Sequence, residues 1–207
     1  MAGTILPIVY GECARGQLAI SVWLYALGLL SGAVVLGGAL GTLGSELRLN
    51  SLLTPAAGAL VIIAACAHLG YAAREFELCR LPMPQSLWQV PRRWQNLMSA
   101  RSTSLIYGVA LGLGVLTRIP TSTFYIVLVW VVIAGNHQVG FAVLGIYGIG
   151  RAVPVIALQA ATQDFEHAAG WLERLTPWYA LMRLVNGFVL ASSGGWLLGL
   201  ELFQGLK

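Results

Sequence analysis

Leu113-Gly-Val-Leu-Thr-Arg-Ile-Pro-Thr-Ser-Thr-Phe-Tyr125 sits in the middle of an apolar segment that runs from about Ser104 to about Gly135. A helix needs about 20 residues to cross the hydrocarbon of a bilayer, and this segment is roughly half as long again. A straight helix would overshoot. Pro120 relieves the excess, because it has no amide hydrogen, frees the carbonyl of Leu116 and biases Ile119 away from helical angles. The segment is therefore expected to be a broken or re-entrant helix. Beside the break stand Arg118 and a run of hydroxyls, Thr117, Thr121, Ser122 and Thr123. An arginine at mid-bilayer costs about 2.5–3.5 kcal/mol on insertion scales, so these groups must face protein, water or a solute rather than lipid. That makes the break the candidate working site.

Composition assigns the class. Hydrophobic residues make up 57% of the 207-residue chain and charged residues 10%, and the mean hydropathy is +0.77. Such values exclude a water-soluble domain and predict an all-α, polytopic membrane bundle in a single integral domain, 1–207. The net charge of +4 is spread too thinly for a nucleic-acid partner. Met1 to Ile8 has neither a basic n-region nor a small-residue cleavage site, so no removable signal peptide is expected.

Outward from the break, about five spans are expected: 17–40, 52–73, the broken 104–135, 139–160 and 178–200. The apolar piece Ile5–Tyr10 is too short to cross. A long polar loop, 74–102, carries Arg74, Arg80, Arg92, Arg93 and Arg101 together with Pro82, Pro84 and Pro91. Asn136-His137-Gln138 forms a short turn, and Thr162–Thr176 forms a second polar loop. Arginines concentrate in the loops on the side of the N-terminus, whereas the other side has Arg48 and Lys207. The positive-inside rule then puts the N-terminus in the cytoplasm of a bacterial-type cell, with the protein in the inner membrane. Trp171, Trp178 and Tyr179 fit an aromatic belt where the last span begins.

Four pairs of glycines stand four residues apart: Gly28 and Gly32, Gly37 and Gly41, Gly108 and Gly112, Gly195 and Gly199. This spacing removes two side chains from one helix face and predicts close helix packing. Arg118 and Arg151 fall near the centres of their spans, while Arg183 is close enough to an interface to snorkel. Every Asp and Glu is expected in a loop or near an end, which leaves carbonyls, water, a bound anion or a partner subunit to neutralise the central arginines. Pro154 would free the carbonyl of Gly150 as Pro120 frees that of Leu116, giving a second break beside Arg151. The candidate mid-membrane site is thus Arg118, Pro120, Thr121, Thr123, Arg151 and Pro154.

Cys13, Cys66 and Cys79 are candidate redox groups, although no two form a CxxC pair. His68, His137 and His167 do not share a depth that would suit a bis-histidine haem. His68 alone could ligate a pigment or metal, and a hydrogen-bonded structural role is the competing reading. No catalytic or metal motif appears, and no residue pattern names a cofactor.

Three stretches carry a family resemblance: Leu6-Pro7-Ile-Val-Tyr-Gly-Glu12 leading to Trp23-Leu-Tyr-Ala-Leu-Gly-Leu-Leu-Ser-Gly32, Leu116-Thr-Arg-Ile-Pro120, and Leu144-Gly-Ile-Tyr-Gly-Ile-Gly-Arg-Ala-Val-Pro154. Their order resembles the CcdA/DsbD transmembrane family of thiol-reductant carriers in cytochrome c maturation, and particularly its divergent relatives in methylamine utilisation. The resemblance implies two inverted three-helix repeats whose first helices are broken, each with a reactive Cys beside a Pro. Ile5-Leu6-Pro7 echoes Arg118-Ile119-Pro120. Two departures from the family pattern are expected: its first helix is either missing from this sequence or cut to the stub Met1–Gly11, and Thr121 stands where the second reactive Cys would follow Pro120. A hydroxyl cannot form a mixed disulfide.

The expected function is therefore a redox-inactive relative that serves as a scaffold, assembly factor or accessory subunit, with lipid and other membrane subunits as its partners. One alternative is a thiol-reductant carrier that uses Cys13, Cys66 or Cys79 in a new arrangement or is completed by another chain. The other is a small-anion transporter with Arg118 and Arg151 facing a central cavity.

Overall fold

A computed structural model describes residues 15–47, 57–82, 99–114, 122–161, 170, 174 and 178–205. Among the described residues six helices follow in order: α1 (Arg15–Glu46), α2 (Ala57–Glu75), α3 (Ala100–Gly112), α4 (Ser122–Ala134), α5 (His137–Ala161) and α6 (Trp178–Gly205). The fold is an all-α membrane bundle. Among the described residues three helices, α1, α5 and α6, are long and apolar enough to cross a membrane.

Glycine spacing builds the bundle around α1, which packs on α3, α4 and α5. A Cβ on Gly28 would collide with the Leu105 carbonyl and stand 3.2 Å from Gly108 Cα, and one on Gly32 would stand 3.2 Å from Gly112 Cα. Residue numbers rise together along this contact, so α1 and α3 run parallel. Farther along α1, Ala33 packs with Phe124 of α4 and Gly44 meets Val132. The two 13-residue helices α3 and α4 thus follow one another along α1 in the same direction. Each is only about 20 Å long, so together they make one interrupted crossing. Among the described residues the two pieces run the same way, so the crossing is broken and not re-entrant.

Gly114 explains where the interruption starts. It follows the cap residue Leu113, has φ +67°, and its amide donates to the Leu111 carbonyl at 3.1 Å. This is the left-handed helix stop that glycine adopts without a Cβ penalty. At the other end of α4, Gly135 (φ +56°) reverses the chain, and Asn136 Oδ1 accepts the amides of Gln138 at 2.8 Å and Val139 at 3.4 Å. Asn136 is the N-cap of α5, which returns antiparallel along α1, with Gly37 and Gly140 face to face.

A second antiparallel pair, α2 and α6, packs through Phe76 against Gly187 and His68 against Gly194. Helix α4 joins the pair to the rest: its Phe124 lies in a cluster with Ala33 and Leu144, and its Ile126 in a cluster with Ala72 and Leu190. Crossing directions alternate, with α3 and α4 counting as one.

Three expectations are corrected by these elements. Helix α1 continues six residues beyond its expected end at Leu40, because Gly41 and Gly44 pack on the α4–α5 turn and α4, while Thr42 and Ser45 bond within the helix to the carbonyls of Ala39 and Thr42. Pro154 does not break α5, which is continuous through it. Its ring lies on an exposed face, and the packing of α5 on α1 holds the turn despite the one missing amide. Finally, Gly195 and Gly199 meet nothing within 4 Å, unlike the other three glycine pairs.

Candidate functional site

The interruption between α3 and α4 leaves two helix ends inside the bundle, about halfway along α1. A helix C-terminus carries partial negative charge and an N-terminus partial positive charge, and both expose unpaired backbone groups. Neighbouring helices supply the matching ions.

At the end of α3, Arg151 of α5 reaches across and donates from Nη1 to the Leu111 carbonyl at 3.1 Å. The same nitrogen lies 3.4 Å from the Tyr147 hydroxyl, and the guanidinium sits 5.6 Å from the centre of the Tyr147 ring. Leu111 O therefore receives both Gly114 N–H and Arg151, which uses its two lone pairs. A positive charge on a helix C-terminus is the favourable sign.

At the start of α4 the charge is negative. Glu75, the last residue of α2, is 3% exposed. Its Oε1 accepts the Ser122 hydroxyl and also the Ser122 amide at 3.3 Å. Ser122 opens α4, so the carboxylate lies on its positive end. For α2 itself a C-terminal carboxylate has the wrong sign, and Arg183 of α6 corrects this. Its Nε lies 3.4 Å from Glu75 Oε2, and its Nη2 donates to the carbonyls of Glu75 at 3.1 Å and Arg74 at 3.4 Å. Arg183 Nη1 pairs with Glu77, and Arg74 Nη1 stands 3.8 Å from Glu75 Oε1. One residue along α4, the Thr123 hydroxyl donates to Asn186 Oδ1.

Of the candidate site residues, Arg151 and Thr123 stand at the two ends of the interruption, and Pro154 is on the outer face of α5. Arg118, Pro120 and Thr121 lie outside the described residues, as does Cys13. Arg183 turns onto the end of α2. Glu75 closes α2, near a helix end as expected of every carboxylate, and it faces the start of α4. The expected polar loop begins at Arg74, whereas the helix runs on through Glu75. The missed signal was a Ser-Thr pair after a proline, which marks a helix start in need of an anion. Asn186, at mid-helix in α6, was also missed.

Cys66 and Cys79 are exposed thiols. Cys79 Sγ reaches the Gly70 carbonyl at 3.7 Å in a loop folded back on α2, where Arg74 Nε also donates to Leu81 O at 3.0 Å. His68 is buried between α2 and α6, with its Nδ1 2.7 Å from the Ala64 carbonyl one turn earlier and its ring 6.3 Å from that of Trp130. The Ala64 bond is the hydrogen-bonded structural role. Among the described residues no group of three His, Cys, Asp or Glu could hold a metal ion.

The chain spans about three-fifths of the length of the curated relatives it matches. It is 34% identical over 170 residues to the methylamine utilization protein MauF of Methylobacillus flagellatus, covering 82% of this chain and 57% of the relative. Identity to MauF of Methylophilus methylotrophus is 33% over 181 residues, 87% of this chain and 61% of the relative. Against MauF of Paracoccus versutus it is 31% over 166 residues, 77% and 59% respectively. No solved structure matches it. The family model described as the cytochrome C biogenesis protein transmembrane region matches residues 1–193, so all three stretches that carried the resemblance fall inside one continuous match, and the chain belongs to this DsbD-type family.

Proposed function

We propose that this protein is a scaffold, assembly factor or accessory subunit of a larger membrane complex and relays no thiols of its own. The name of its MauF relatives suggests methylamine utilisation as the setting. The observation that carries the reading is the chemistry at the interrupted crossing. The two helix ends are held by ions, Arg151 and Glu75, and the first turn of α4 presents the hydroxyls of Ser122 and Thr123. A thiol carrier of this family would need sulfur there, since a relay oxidises two thiols to a disulfide and passes two electrons to the next pair. The exposed Cys66 and Cys79 sit on α2 and its following loop, outside the α3–α4 interruption. The proposed setting is the bacterial inner membrane with the N-terminus cytoplasmic, as the arginine-rich loops suggest.

The test has two arms. Extracted gently from its native membrane, the protein should run with other polypeptides at a fixed ratio; a chain that runs alone or as a homo-oligomer counts against the proposal. A variant with Cys13, Cys66 and Cys79 all changed to Ser should complement a deletion strain as well as the wild type, and loss of complementation with protein levels maintained would restore the thiol-carrier reading.

A further inference from the structure

We draw no further inference here: the strongest candidate, the outward face of α6 where Gly195 and Gly199 meet nothing within 4 Å beside the exposed Trp196, is a small-residue stripe on an apolar helix, and nothing in the structure shows what covers it.

Discussion

Replacing Glu75 by Gln tests whether an ion, rather than any hydrogen-bond acceptor, holds the start of α4. The glutamine keeps an oxygen for the Ser122 amide and hydroxyl, so the loss is electrostatic. Glu75 Oε2 lies 3.4 Å from Arg183 Nε, and at an effective dielectric constant of about 20 a unit pair at that distance interacts by about 5 kcal/mol. Two facts reduce this. The Arg183 side chain is 28% exposed, which screens the pair, and Arg183 keeps Glu77 as a second partner. Half the Coulomb figure, about 2–3 kcal/mol, is the expected cost of Glu75→Gln. Arg183→Gln should cost about as much, because it leaves a buried carboxylate with Arg74 at 3.8 Å as its nearest remaining cation. The double variant should then be less damaged than the sum of the two by about 1–2 kcal/mol, since the second change removes a charge that the first has already stranded. Equilibrium unfolding of the four proteins in mixed detergent, followed by far-UV circular dichroism, measures the cycle. A coupling below about 0.5 kcal/mol would refute the reasoning and reduce Glu75 to a neutral cap.

Glycine substitutions should differ in sign according to what faces them. Gly28→Ala and Gly108→Ala drive a Cβ into the opposing backbone and should each cost about 1–3 kcal/mol in the same unfolding assay, whereas Gly195→Ala enters open space and should be neutral or stabilising by up to about 1 kcal/mol. Equal losses at all three positions would mean that α6 is packed differently. Gly114→Ala places a Cβ on a residue at φ +67° and should destabilise by about 1–2 kcal/mol, seen as a lower Tm; an unchanged Tm would show that the end of α3 relaxes freely. Asn136→Ala removes the acceptor for two amides at the start of α5 and should cost about 0.5–2 kcal/mol, whereas Asn136→Asp should restore most of it.

The existence of the interruption was legible in the sequence; its two ends were not. Excess length and Pro120 were enough to forbid a straight helix over 104–135. Yet α3 stops at Gly112 because Gly114 takes up a left-handed conformation, and within an apolar run a glycine reads equally well as a packing residue. Pro154 shows the converse. The same residue type beside another arginine leaves α5 continuous, because packing on α1 outweighs one missing hydrogen bond. Spacing likewise found four glycine pairs but could not tell which would meet a helix, since that depends on the neighbour and not on the pair.

Glu75 is the sharpest case, because nothing local distinguishes it from a carboxylate in a polar loop. Its position beside Ser122 is fixed by the register of three helices, in which Ala72, Ile126 and Leu190 share one core cluster. Three residues past Ala72 the α2 chain necessarily arrives at the level where α4 begins. A crossing cut in two creates a negative and a positive end in the same small volume, and no single side chain can neutralise both. Arg151 from α5 and Glu75 from α2 therefore approach from different helices. The break in one helix fixes where two others must sit, which ties the α2–α6 pair to the rest of the bundle through α4.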